Sequence, residues 1–285
     1  MKALTLRPNA AILLLALSAA AFSHEHVSSR AHYLGNEAVM VERGATKIVF
    51  DPLFREDYGQ YQRVPADIEA ALMAGTPPFD GVDAVFVSHY HDDHFDPALM
   101  LDYLEAQPAI ELYGPEQAVA GLRAAAEPAS IDVFERVHSL TPDYRGSPLS
   151  VEVDGLLIEA VHIPHAGWPD SRTDVQNIAF RVTLDGVTTV THLGDADTDA
   201  THFDVDYWSK RPSHLALPPY WFFGTPEARR ILDDTIGAAH SVGIHVPTNV
   251  PKDAADRKPP LDDADLFTRP GETRDIPGPG GYLDD

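Results

Sequence analysis

Short apolar runs, broken by Gly, Asn, Asp and Pro, divide the chain into two blocks that each open on strands and then take up helices. Residues 31–34, 37–41 and 46–50 are extended segments separated by Gly35-Asn36 and Gly44-Ala45, the pattern of an antiparallel meander. Asp51-Pro52 ends the third. A loop with Tyr58, Tyr61 and Pro65 leads to a helix over 66–74, then to an apolar run over 82–87 that reads as a buried strand. Asp96-Pro97 starts a helix over 97–106, with Asp as N-cap and Pro at the first helical position. A strand over 110–113 and a helix over 115–126 follow. The second block predicts strands over 149–153, 156–162, 177–184 and 187–193, with Asp185-Gly186 as a two-residue hairpin turn. A strand over 214–217, a capped helix from Thr225-Pro226 to about 239 and a terminal strand over 241–246 complete it. Two such blocks predict two sheets packed together with helices outside. From Pro251 the chain is rich in Pro, Gly and Asp with little to bury, so the folded unit is expected over 24–250 and a surface or disordered tail over 251–285.

The amino end stands apart. Lys2 and Arg7 precede an apolar run over 10–17 and the small residues before Ala21-Phe22-Ser23, the layout of a signal peptide over 1–23 with the cut after Ser23. That run is short for a membrane span, and no other stretch is long and apolar enough. The expected mature protein is exported, periplasmic or extracellular, with no stable membrane insertion. The formal net charge is -23, which would repel a nucleic-acid backbone and suits solubility in an exposed compartment. Cysteine is absent, which an exported chain of this size tolerates; metal ligands are thereby limited to imidazole and carboxylate.

Chemistry concentrates after the buried strand, in Ser88-His89-Tyr90-His91-Asp92-Asp93-His94. His89 and His91 are two apart, so an extended backbone sends both rings the same way. Asp93 repeats that direction if the extension continues, and His94 starts a second one where the chain turns toward Asp96. A surface histidine tract would not follow a buried strand and precede a helix cap; ligands on a strand-to-helix turn can hold two cations side by side. Further candidates sit at other predicted strand ends: His165 before the loop with Trp168, Asp195 in Gly194-Asp195-Ala196-Asp197, and His245 before Pro247. Taken singly, they read as a loop histidine, a turn carboxylate and a strand cap.

In this order and spacing, nearly all of the chain after the leader resembles the metallo-beta-lactamase fold superfamily. His89-x-His91-x-Asp93-His94 is similar to its hallmark, and His165, Gly194-Asp195 and His245 fall where its later ligands fall. The resemblance implies a mixed α/β (α+β) four-layer αββα sandwich with a two-metal centre, usually zinc. It implies that His89, His91 and His165 hold one metal, that Asp93, His94 and His245 hold the other, and that Asp195 bridges them. Tyr33-Leu34-Gly35, Asp51-Pro52 and His192-Leu193-Gly194-Asp195 are short phrases similar to the branch of ascorbate-6-phosphate lactonase. Members with a cysteine ligand are excluded by composition, and the flavodiiron branch carries Glu where His91 stands. The remaining true beta-lactamases generally lack a bridging carboxylate, so a lactonase or phosphoesterase type of site is implied ahead of an antibiotic-destroying one.

The implied reaction is hydrolysis of an ester, lactone or phosphodiester of a small molecule by a hydroxide shared between two zinc ions, with manganese or iron as alternatives. Asp93 would accept a proton and Asp195 would orient the nucleophile. Asp51 reads either as a partner behind a ligating ring or as a turn-forming Asp-Pro. His192 reads as a donor behind the ligands, a proton carrier or a packed strand histidine. Tyr220, Trp221 and Phe222, in the aromatic run before Gly224, either line a substrate groove with Trp168 and Tyr58 or Tyr61, or pack in the core. No Lys or Arg cluster accompanies the motif, which counts against highly charged phosphates. The rival reading is a non-catalytic metal-binding or sensing module on the same fold; the full ligand set argues against it. Oligomeric state has no signature in the sequence.

Overall fold

Side chains along the opening meander alternate between two apolar environments, and this sets the position of every later layer. The computed structural model describes residues 27–278; the leader read over 1–23 lies outside them. β1 (Ser29–Gly35), β2 (Ala38–Arg43) and β3 (Thr46–Phe50) pair antiparallel. β4 (Ala84–Phe86), β5 (Glu111–Pro115) and β6 (Val137–Leu140) continue the sheet in parallel from β3. The second sheet runs antiparallel through β7 (Leu149–Val153), β8 (Leu156–His162), β9 (Ile178–Leu184) and β10 (Thr188–His192). β11 (Leu215–Leu217) and β12 (His240–Ser241) then add in parallel to β10. The β9–β10 turn has positive φ at both Asp185 (51°) and Gly186 (67°), the mirror-image turn that matches strand twist.

Tyr33, Val41, Phe50 and Phe86 of the first sheet share one buried cluster with Ile158, Phe180, Val190 and Leu217 of the second, so the sheets pack face to face. On the outer face of the first, Met40, Val49, Val85 and Leu112 meet α1 (Ala66–Ala74), α2 (Pro97–Ala106) and α3 (Glu116–Ala125). On the outer face of the second, Ala179 and Ala216 meet Trp208 of α4 (Val205–Ser209) and Ala228's helix α5 (Pro226–Arg230) through Ile231 and Leu232. The layers are helix, sheet, sheet, helix, as expected. α2 starts where its cap predicts, with the Asp96 carboxylate accepting the Leu99 N–H at 2.8 Å. No helix among the described residues is long and apolar enough to cross a membrane.

Four differences from the sequence reading have physical causes. The strand expected over 241–246 stops at Ser241, because Gly243 and Ile244 make only isolated bridges and the backbone turns at His245 with φ 56°. The last long helix widens into a π turn over Ile231–Ile236 and stops at Gly237, whose left-handed φ of 59° terminates it short of 239. The segment after Pro251 buries more than expected. Its β13 (Thr273–Ile276) pairs antiparallel with β1, and its Phe267 is fully buried and stacks on Tyr33 at 5.0 Å. β6 is a strand that the sequence reading did not predict; at Val137–Leu140 it is too short to show a period.

Candidate metal centre

The strand β4 ends at Phe86, and the next residues run outward before turning back. The N–H groups of His94 and Phe95 both bond to the carbonyl of His91, each at 2.9 Å. That turn, rather than continued extension, brings Asp93 and His94 to a second side of the cluster. Two buried amides fix the neighbouring loops. Asn36 donates to the carbonyl of Asp93 at 2.9 Å and accepts from the His245 N–H on its own carbonyl at 3.1 Å. Asn177 accepts the Asp195 N–H at 3.0 Å. Between the β10 end and Asp195 stands Gly194, at φ 53°, where a Cβ would lie 2.4 Å from Asn177 Oδ1 and 2.7 Å from Ser88 Cβ. Only glycine fits that passage.

All of the sequence-predicted ligand candidates come together. Ligand atoms of His89, His91, His165 and Asp195 lie within 4.8 Å of one another, and those of Asp93, His94 and His245 form a second such group. Asp195 faces both. Its Oδ2 is 3.1 Å from His165 Nε2 and 4.0 Å from His89 Nε2. Its Oδ1 is 3.5 Å from His94 Nε2 and 3.3 Å from His245 Nε2. Asp93 Oδ2 lies 3.3 Å from His245 Nε2 and 3.7 Å from His94 Nε2.

Orphaned atoms test whether metal ions fit here. His94 Nε2, His165 Nε2, both ring nitrogens of His245 and Asp195 Oδ1 are buried without a hydrogen-bond partner. Such groups are rare unless something else satisfies them. The outward nitrogens are pinned: His165 Nδ1 is 2.9 Å from the carbonyl of Ala166, and His94 Nδ1 is 3.0 Å from Asp51 Oδ2. A proton held on Nδ1 leaves the Nε2 lone pair facing inward, the tautomer a metal ligand needs. Imidazole and carboxylate donors converging in this way suit divalent cations, so the residues fit metal binding.

Burial and neighbouring charges move the groups of the cluster in different directions. Burial, and after it the nearby His94, holds the His89 imidazole well below its ordinary value. Burial and the His165 and His94 charges bring His91 down to about 4. Both are neutral donors at pH 7. Burial opposes the charged form of His94, but Asp195, Asp93, Glu37 and the bond to Asp51 outweigh it and raise His94 well above the ordinary range. Burial likewise opposes ionisation of Asp195, yet the neighbouring His245, His94 and His165 rings hold it well below the usual carboxylate range.

Behind the cluster, Asp51 has φ 41° and accepts from Ser88 N at 2.7 Å and Ser88 Oγ at 2.5 Å as well as from His94. It is both turn residue and ring partner. His192 is a packed strand histidine: it stacks on Phe50 at 4.7 Å, its Nε2 donates to the carbonyl of Glu37 at 3.1 Å, and its Nδ1 accepts from Gly194 N at 3.2 Å. Both of its nitrogens are bonded to backbone groups. Glu37 itself was missed by sequence reasoning, being the residue after a Gly-Asn turn. It is fully buried, and burial pushes its carboxyl well above the usual range against the pull of His94.

The aromatic run divides. Phe222 and Phe223 are buried in the outer core of the second sheet, so Phe222 is not a pocket residue. A 3-10 turn over Tyr220–Phe223 sends neighbouring side chains to different sides. Trp221 stays near the centre, its ring 5.4 Å from that of His245 and its Nε1 donating to the carbonyl of Ala196 at 3.0 Å. Tyr61 meets His245 edge-on at 4.0 Å. Tyr220 is in contact with Trp221 at 5.7 Å, whereas Trp168 stacks on His202 at 6.4 Å. A cation also stands near the rim: Arg172 donates to the carbonyl of Ala166, beside His165, at 3.3 Å.

A family model described as a beta-lactamase superfamily domain matches residues 30–207, more than half of the chain, and ends before His245. Protein Rv0786c of Mycobacterium tuberculosis (strain ATCC 25618 / H37Rv) is 29% identical over 90 residues, 32% of this chain and 34% of that protein. The match thus spans about a third of the length of that curated relative. Among solved structures, Igni18, a metallo hydrolase from Ignicoccus hospitalis KIN4/I, superposes with a TM-score of 0.57 at 17% identity, covering 87% of this chain and 98% of that one. A "possible metal-dependent hydrolase" from Veillonella parvula DSM 2008 gives 0.60 at 14% identity, covering 88% and 100%. At such identities, the structural likeness speaks to the fold.

Proposed function

Because this chain belongs to the beta-lactamase superfamily, we propose that it is an exported metal-dependent hydrolase of a small-molecule ester, lactone or phosphodiester. Two divalent cations, zinc foremost, would be held by His89, His91 and His165 on one side and by Asp93, His94 and His245 on the other, with Asp195 shared. The supporting observation is the division of the Asp195 carboxylate, whose Oδ2 lies 3.1 Å from His165 Nε2 while Oδ1 lies 3.3 Å from His245 Nε2. One carboxylate facing two donor groups is the arrangement that a closely spaced cation pair requires. The apolar run near the amino end supports export, and the short phrases around Tyr33, Asp51 and His192 support a lactonase-like activity.

When bound, such a cation pair supplies Lewis acidity, lowering the pKa of an attacking water toward neutrality and stabilising negative charge on the substrate and leaving oxygen. The chain's own residues do the rest. Asp195, kept ionised by His245, His94 and His165, orients the attacking water. Asp93, whose carboxyl is held low by His94 and His245 against its own burial, takes up the released proton and returns it to the leaving oxygen. Asp51 keeps the His94 ring from rotating. Tyr61 and Trp221, packed on His245, wall the apolar part of the substrate. Arg172 offers a single positive charge at the rim, which suits a monoanionic diester or a neutral lactone better than a dianionic monoester.

The test is to purify the mature protein, count its metals by mass spectrometry, and screen lactones, thioesters and phosphodiesters with and without a chelator. Two metals per chain and chelator-sensitive turnover of one class are expected. Bound metal with no turnover on any class would favour a sensing module, and a chain that takes up no metal would end the proposal. Mass of the exported product checks the cut after Ser23.

A further inference from the structure

One carboxylate behind the centre has nothing to bond. Glu37 is 0% exposed, and neither Oε1 nor Oε2 has a hydrogen-bond donor. Burial strips a carboxylate of water and ordinarily demands donors in exchange. The turn that places it cannot relax outward. A Cβ on Gly35 would lie 2.8 Å from the backbone of Arg63 and Val64, so that residue is wedged against another segment. The next, Asn36, holds a left-handed φ of 44° while tying down Asp93 and His245. Swinging Glu37 into solvent would release both of those loops.

Its nearest cationic candidates are occupied elsewhere. Glu37 Oε2 is 3.6 Å from His94 Nδ1 and 3.6 Å from His192 Nε2. The His94 nitrogen is bonded to Asp51, and the His192 nitrogen donates to the carbonyl of Glu37 itself. Yet a carboxylate oxygen of Glu37, a ring nitrogen of His94 and an oxygen of Asp195 all lie within 4.8 Å of one another. Glu37 therefore stands directly behind one half of the centre with both carboxyl oxygens unpartnered.

Resting on the two-cation reading above, we propose that Glu37 is a positioning residue for the cation held by Asp93, His94 and His245. It acts through the His94 ring, and its buried carboxylate is matched only when that cation is bound. Uptake of the cation and tolerance of Glu37 are then linked: the side chain burdens the metal-free fold and tightens the loaded one.

The test uses metal-free wild type, Glu37→Gln and Glu37→Met, titrated with zinc against a chromophoric chelator, with melting followed before and after loading. Wild type is expected to take up two zinc ions. Glu37→Gln should bind the weaker of the two about 10–100-fold less tightly, while its metal-free form melts at the same temperature or higher. Unchanged zinc affinity overturns the proposal, as does equal loss of melting temperature in metal-free and loaded forms, which marks a role in packing alone. If the Gln variant does not fold, the Met variant is judged by the same criteria; failure of both to fold also marks a packing role and overturns it. Wild type that binds no zinc would remove the two-cation reading itself, whereas wild type with two zinc ions and an indifferent Glu37→Gln would remove only this proposal.

Discussion

The side-chain amide of Asn177 carries the backbone of Asp195, accepting its N–H on Oδ1 at 3.0 Å. Its Nδ2 donates to the carbonyls of Ile163 and Leu193, each at 3.1 Å. One buried residue thus joins the stretch that delivers His165 to the stretch that delivers Asp195. Asn177→Ala leaves three buried backbone groups without partners, at about 1–3 kcal/mol for each one that water cannot reach. Denaturant unfolding should show that loss, and metal content should fall with it. An unaltered midpoint would mean that the two stretches are held by other contacts.

Asp51 has a narrower task. It bonds the outward nitrogen of His94 while also accepting from Ser88 N and Ser88 Oγ. Asp51→Asn keeps the shape and tolerates the positive φ, but can turn a donor toward the donor on the ring. Metal affinity should drop about 10–100-fold in a chelator competition, with a much smaller change in melting temperature. Equal affinity in the two proteins would show that the ring is oriented by packing instead.

How much of this was legible in the sequence depends on how local each signal is. His89, His91, Asp93 and His94 could be read because all four lie between a buried run and a helix cap. His165 and Asp195 could be found at predicted strand ends, but their convergence depended on the pairing of β8, β9 and β10. Asn36, Glu37 and Asn177 could not be found that way. Gly35-Asn36 looks like a solvated turn, and only the packing against Arg63 and Val64 turns it inward. The edge strand β13 is mostly exposed and polar in Thr273-Arg274-Asp275, so it carries no periodic pattern. Within Tyr220–Phe223 composition is uniform, and only the turn geometry separates Trp221 from the buried Phe222.

Trp221 offers a test of the substrate wall. Its indole is fixed by the bond to the carbonyl of Ala196, with the ring beside His245. Trp221→Ala removes apolar surface without touching a candidate ligand. For a substrate with a bulky apolar group, KM should rise about tenfold, equivalent to about 1.4 kcal/mol, with kcat changed much less. Small substrates of the same bond type should show little change. A loss confined to kcat would place the indole in the chemistry rather than the wall.

Asp265 fastens the carboxyl-terminal segment, and its charge makes that fastening sensitive to acid. It accepts from Arg274 Nε at 2.9 Å and Nη2 at 2.7 Å, and from His240 Nε2 at 2.9 Å. Its backbone carbonyl accepts from Gly243, and Phe267 N returns a bond to the Gly243 carbonyl, so the segment is laced to the stretch that leads to His245. Partial burial raises the carboxyl, but the bonds to His240 and Arg274 outweigh it and set it well below its ordinary value of 3.8. The folded state therefore binds this proton less readily than the unfolded chain. The resulting stability is present above the ordinary value and is lost as pH falls toward the folded one. Asp265→Asn should cost about 1–3 kcal/mol at neutral pH. Urea midpoints of wild type and variant, measured from pH 7 downward, should begin to approach each other as the pH drops below 3.8 and keep closing as it falls further. A gap that stays constant down to the acid limit would show that the carboxylate's charge contributes nothing and that shape alone holds the segment.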